Sequence, residues 1–254
     1  MLSHPILPSN ISWLDKHPNA SQLVSNVAFP NATFALCLFG IPATVGNKAG
    51  MMRTDVHAIK HLSQSQLSVF NGTDVFFHAW TNDKRICNEL KIRYIPKDYR
   101  CQKIVFDTRK DLFGYNHVQS MILSIVQVLR LAIQTPYDQV FLARHDLLLC
   151  SQEKIPLFTP SQFIVTDSWT HKNLDGIPDW SFIGSLATLQ YVFQTLHERF
   201  KKGDKIHTNT RAHFMIQTHL DQINYTKQNQ VRHYVVKQNL YRIGCGNLKL
   251  KTKS

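Results

Sequence analysis

Arg144, His145 and Asp146 interrupt an otherwise apolar segment, standing between Val140–Ala143 upstream and Leu147–Leu149 downstream. A buried charge without a partner is costly, so the triplet requires a partner, water or a ligand. Two chemistries suit it. Asp146 could coordinate a divalent cation bridging a diphosphate, since hard cations take carboxylate and phosphate oxygens, while Arg144 neutralises the same diphosphate through paired hydrogen bonds. Alternatively, Arg144 and Asp146 form an ion pair that pins a loop. A lone histidine such as His145 or His78 is more often a hydrogen-bonded structural residue than a ligand.

The remaining motifs narrow the chemistry by elimination. The chain carries no G-x-G-x-x-G, no G-x-x-x-x-G-K-S/T, no G-x-S-x-G and no H-E-x-x-H, so the familiar phosphate cradles, the nucleophile elbow and the zinc helix are missing. The 13 histidines have no spacing specific to a metal site. Five cysteines without a C-x-x-C pair argue against a structural zinc site and a disulfide framework. Cys37 and Cys150 read as core residues, and Cys87 and Cys101 could pair or stay free. N-x-S/T sequons at Asn10, Asn19, Asn31, Asn71 and Asn224 matter only in a secretory lumen.

A net charge of +12 favours acidic partners: nucleic acid, anionic lipid or a phosphorylated small molecule. The basic residues are spread out, and the clusters at 201–205 and 249–254 read as a solvated face and a frayed tail. A hydrophobic fraction of 43% with 18% charged residues is ordinary for a globular chain.

The elements that must position the triplet follow from periodicity. Residues 1–31, with four prolines, read as an irregular arm and 241–254 as a basic tail, leaving 32–240 as one domain. Apolar runs at 33–40, 74–80, 138–144, 162–166, 180–184 and 233–237 predict strands. Apolar stripes predict helices from Thr54 to Leu67, from Asn116 to Ala132, from Ser185 to Phe200 and from Thr210 to Ile223. Residues 41–53 read as a loop, and 81–115 as a long polar stretch with one short strand at 103–106. Alternating strands and helices predict an α/β fold with a sheet covered on both faces. Ligands in such sheets sit beyond the carboxyl ends of the strands, here 40–48, 78–83, 144–146 and 167–179.

The succession "VFFHAW", "NHVQSMILSIVQVLRLA", "YDQVFLARHDLLL" and "DGIPDWSFIGS" resembles GT-A-type nucleotide-sugar glycosyltransferases. It is most similar to a glycosyltransferase-like group of algae, large viruses and microbes with R-x-D where other GT-A enzymes carry D-x-D. The likeness covers roughly residues 33–220. It implies a GT-A-like, Rossmann-type, mostly parallel sheet with helices on both faces. Carried over, Asp146 is the metal-binding carboxylate (Mn²⁺ or Mg²⁺) and Arg144 a phosphate or sugar contact. Gly40, Ile41 and Pro42 would lie against the nucleotide. The region 209–220 has no Glu where family members often carry an acidic residue.

Asp179 is the candidate catalytic base, placed at a strand start by Gly176 and Pro178, where it would deprotonate an acceptor hydroxyl. Trp169 and Trp180 are candidate sugar-stacking rings, with core packing the plainer role for Trp180. The expected activity is sugar transfer from a nucleotide-diphosphate sugar to a glycan or glycoprotein hydroxyl. The rivals are a basic nucleic-acid-binding module, which would need a concentrated aromatic–basic patch, and a non-catalytic sugar- or nucleotide-binding protein. Neither a leader nor a membrane span is read from the sequence, so a cytoplasmic location is expected, with a Golgi lumen left open.

Overall fold

The structure, a computed structural model, describes residues 33–42, 44–46, 52–54, 56–70, 72–103, 117–149, 155, 158–168, 180–204, 212–226, 228, 230–236 and 238–240. The expected arm and tail, Trp169, Asp179 and nearly all of the expected strand at 103–106 lie outside them.

The described chain runs β1 (Phe34–Gly40), β2 (Thr44–Gly46), β3 (Met52–Thr54), α1 (Val56–Val69), β4 (Asp74–Trp80), α2 (Lys84–Tyr94) and β5 (Asp98–Gln102). It continues with α3 (His117–Leu131), β6 (Gln139–Arg144), β7 (Leu147–Leu149), β8 (Phe163–Ser168), β9 (Ser181–Gly184), α4 (Leu186–Lys201), α5 (Ala212–Gln222), β10 (Val231–Val236) and β11 (Gln238–Leu240). Seven strands form one sheet in the order β10-β8-β9-β6-β1-β4-β5. Only β9 runs against its neighbours, β8 and β6. This is the mostly parallel α/β sheet expected from the alternation of elements.

The strand sequences explain the two covered faces. A strand buried on both sides reads as a continuous apolar run, and β1 is such a run. Ala35, Cys37 and Phe39 join the core under α3, α4 and α5. Leu36 and Leu38 join the core under α1, α2 and β7. Helix α4 is capped by Ser185, whose hydroxyl accepts from Thr188 N–H at 3.1 Å.

Two expectations are corrected. Residues 41–53 hold an antiparallel pair, β2 with β3, instead of a plain loop. The polar stretch 81–115 contains α2 and β5. Helix α2 is capped by Asp83 and buries Ile86, Cys87, Leu90 and Tyr94, a helical stripe diluted by surrounding charges. Strand β5 has no apolar alternation at all, and it exists through its parallel pairing with β4. Cys87 and Cys101, left open by the sequence, form a disulfide joining α2 to β5.

Candidate functional site

The chain lays β4 and β5 to one side of β1, then crosses through α3 and lays β6 on the other side. The order therefore reverses between β1 and β6, and open α/β sheets bind ligands beyond the carboxyl ends at such a switch point. Arg144 is the register partner of Phe39. His145 N–H donates to the Phe39 carbonyl at 3.0 Å, and Arg144 N–H to the Trp180 carbonyl at 3.0 Å. Gly40–Pro42, Arg144–Asp146 and Trp180 are thus side by side at one edge of the sheet. Two of the four segments expected to converge meet here; a third, 78–83, begins beside them, where His78 is the register partner of Phe39, and in the fourth, 167–179, residues 169–179 lie outside the described residues.

Arg144 grips Asp146 through both arms of its fork. Nε and Nη2 donate to the two carboxylate oxygens, each at 2.9 Å. The Asp146 side chain is 3% exposed and that of Arg144 22%. The pair closes the tight turn between β6 and β7, and β7 is then held away from the main sheet by β11. Gln66 Nε2 adds a bond to the Leu147 carbonyl at 2.7 Å.

This arrangement bears on the expected cation. Both Asp146 oxygens already accept from a guanidinium, whose positive charge repels a metal ion. Among the described residues no three His, Cys, Asp or Glu side chains stand together as a donor set. Among the described residues, Asp146 as paired with Arg144 offers no ready-made site for a divalent cation.

The loop after β1 is fixed from below by a hydrogen-bonded relay. Gly40 N–H donates to Ser124 Oγ at 2.9 Å, and Ser124 Oγ lies 2.7 Å from His78 Nδ1. Gln102 Oε1 faces His78 Nε2 at 3.2 Å, which assigns the ring proton to Nε2 and makes Nδ1 the acceptor of the serine hydroxyl. The relay ties the carboxyl ends of β1, β4 and β5 to α3. Gly40 itself has φ +94°, a conformation that L side chains rarely adopt.

Burial lowers the pKa of His78 to about 4 and that of His145 to about 3, so both rings are neutral near pH 7. His145 Nε2 donates to the His78 carbonyl at 3.2 Å, leaving Nδ1 buried without a partner among the described residues. Both histidines are framework, as the plainer sequence reading had it.

Trp180 is 5% exposed and belongs to the core under α1, α2 and β7, so little of its ring is open to a sugar. Sequence reasoning missed Ser124 and Gln102. A serine in the middle of the apolar stripe of α3 was the one available signal.

No protein-family model and no curated protein matches the chain. No helix among the described residues is long and apolar enough to cross a membrane. Among solved structures, the chain is similar to a "putative nucleotide-diphospho-sugar transferase" from Desulfovibrio desulfuricans G20, with 11% identity, 80% of each chain covered and a TM-score of 0.43.

Proposed function

We propose that the protein is a GT-A-like glycosyltransferase whose nucleotide-sugar donor lies across the carboxyl ends of β1 and β6. The observation that carries this reading is the meeting of Gly40–Pro42 with Arg144–Asp146 at the switch point of the sheet. The order of motifs along the chain supports the same reading.

In the proposed reaction the acceptor oxygen attacks the anomeric carbon, and the bond to the nucleoside diphosphate breaks. Asp179 takes the acceptor proton. The leaving diphosphate gathers negative charge, and preorganised positive groups stabilise it. Arg144 supplies that charge, and Asp146 holds the guanidinium in place. Gly40, Ile41 and Pro42 form the wall against the nucleotide, and Trp169 is the candidate ring for contact with the sugar or acceptor. No step is routed through a metal, because the carboxylate that would hold it is committed to Arg144.

The test is a thermal-shift screen of UDP- and GDP-sugars, with Mn²⁺ and with a chelator. The expected result is stabilisation by a nucleotide sugar that survives chelation. Stabilisation only with Mn²⁺ would mean that Asp146 exchanges its guanidinium for the cation. No response to any nucleotide sugar, with salt-sensitive binding to DNA, would replace the reading by the basic nucleic-acid module. Once a donor is known, Arg144→Lys should weaken it by about 1–2 kcal/mol, because lysine keeps the charge without the planar fork. Asp179→Asn should lower turnover about 10²–10⁴-fold with donor affinity unchanged. Full turnover without donor hydrolysis changes in that variant would remove Asp179 from the mechanism.

A further inference from the structure

The sugar-transfer reading leaves two features unused: the Cys87–Cys101 disulfide and the sequon Asn224-Tyr225-Thr226. The disulfide joins α2 to the outermost strand of the sheet. Strand β5 has Asp98, Tyr99 and Arg100 exposed and Cys101 and Gln102 half-buried, so it contributes little apolar burial of its own. Besides its pairing with β4 and the Gln102–His78 and Arg100–Gln127 contacts, the Tyr99 ring stacks on Phe77 at 5.4 Å, with the Lys91 ammonium 4.3 Å from the Tyr99 ring centre. A disulfide closing such a loop limits the freedom of the unfolded chain, which matters most at an edge with so little apolar burial. Structural disulfides form and persist in oxidising compartments and are rare where glutathione keeps thiols reduced.

The sequon after α5 lies on the surface, with both of its functional residues exposed. Asn224 is exposed and has φ 61°, the left-handed conformation that asparagine tolerates. Its backbone is fixed from both sides: Asn224 N–H donates to the Asp221 carbonyl and Gln228 N–H to the Asn224 carbonyl, both at 3.1 Å. Tyr225 is half-buried and stacks on Tyr191 at 5.8 Å between ring centres, which turns the middle residue inward and its two neighbours outward. Thr226 is exposed, and among the described residues neither the Asn224 amide nor the Thr226 hydroxyl has a hydrogen-bond partner. At the sequon of Asn71, by contrast, the Thr73 hydroxyl is spent on the Phe70 carbonyl at 2.7 Å.

We propose that this chain matures in an oxidising secretory lumen and carries an N-linked glycan on Asn224. In the transfer, the Asn224 amide nitrogen bonds to the anomeric carbon of a lipid-diphosphate-linked oligosaccharide. The bond from that carbon to the lipid diphosphate breaks, and the amide proton leaves with the diphosphate or to solvent. The Cys87 and Cys101 thiols lose two protons and two electrons to a protein disulfide of the oxidoreductase class, which becomes a dithiol. This assignment departs from the cytoplasmic location expected from the sequence. It is independent of the sugar-transfer reading.

The test is peptide mapping of the full chain from the cells that naturally make it, with thiols alkylated at lysis and half the sample treated with peptide-N-glycosidase. The expected result is a linked Cys87–Cys101 peptide pair and a glycan on Asn224, read as conversion of Asn224 to aspartate on release. Thr226→Ala should lose that glycan completely, and Thr226→Ser, which keeps the sequon, should retain it. Alkylated Cys87 and Cys101 would overturn the compartment. An unmodified Asn224 in a disulfide-bonded chain would overturn the site.

Discussion

At the residue scale, the Arg144–Asp146 fork answers why charge stands at the end of a core strand. Each group removes the cost of burying the other, and the geometry is bidentate. Breaking a fully buried pair from one side costs about 3–5 kcal/mol, because the remaining charge is stranded. Arg144 keeps part of its side chain in water, so Asp146→Asn should cost less, on the order of 2–3 kcal/mol. Urea unfolding followed by circular dichroism measures this. The double variant Arg144→Met with Asp146→Leu should regain most of that stability, since paired apolar replacements are often neutral. It should still fail to bind a nucleotide sugar. Equal stability of wild type and Asp146→Asn would show that the pair contributes nothing to the fold.

At the element scale, α2 shows a helix whose end is poorly matched to its sequence. Its last carbonyls are closed by Ile95, which donates its N–H to the Lys91 carbonyl at 3.0 Å while adopting φ 45°. A β-branched residue in the left-handed region carries a cost of about 1–2 kcal/mol, which glycine avoids. Ile95 is 84% exposed, so truncating its side chain gives up little burial. Ile95→Gly should therefore raise stability, by about 1 kcal/mol, seen as a higher urea midpoint with an unchanged slope. A lower midpoint would show that the side chain packs where the fold leaves it open. Strand β9 illustrates the opposite match. A Cβ on Gly184 would lie 3.1 Å from the Gln162 carbonyl oxygen, so any larger residue at the end of β9 would press on the backbone beside it.

At the scale of the whole molecule, the two edges of the sheet differ in how they are closed. The amino edge is sealed by polar contacts, including the Lys97–Asp74 ion pair at 2.8 Å and the Thr33 N–H bond to Asp138 at 2.8 Å. The carboxyl edge rests on the buried neutral rings of His78 and His145, and a third such ring, His219 of α5, lies 3.0 Å from the Val192 carbonyl of α4. Burial holds His78 at about 4, His145 at about 3 and His219 at about 4, all below the ordinary 6.5. Unfolding lets these rings take up protons between pH 6.5 and about 4. The unfolded state then binds more protons, so stability falls as the pH drops through that window. The expected slope approaches about 1.4 kcal/mol per pH unit for each such histidine. Denaturant midpoints at pH 7.5, 6 and 5 read it directly. A constant midpoint would contradict neutral burial of these rings. The Asp74 carboxyl, held low by Lys97 and Tyr137, adds its own loss only at still lower pH.

Sequence by itself determined the parts whose physics is local. The apolar runs of β1, β4 and β6 are buried on both faces, and the stripes of α1, α3 and α4 match the helical period, so both were legible without neighbours. The odd charge in Arg144-His145-Asp146 was legible too, because apolar strands seldom end that way. Tertiary structure decided what depends on pairing. Strand β5 is polar and exists only beside β4, and α2 was hidden because charged residues dilute its stripe. The pairing of Asp146 with Arg144, left open by the sequence, is made by the turn after β6, which brings the two side chains within 2.9 Å. The relay from Gly40 through Ser124 and His78 to Gln102 joins residues up to 84 positions apart. No spacing rule reaches that far, and only the crossing of α3 over the sheet brings them together.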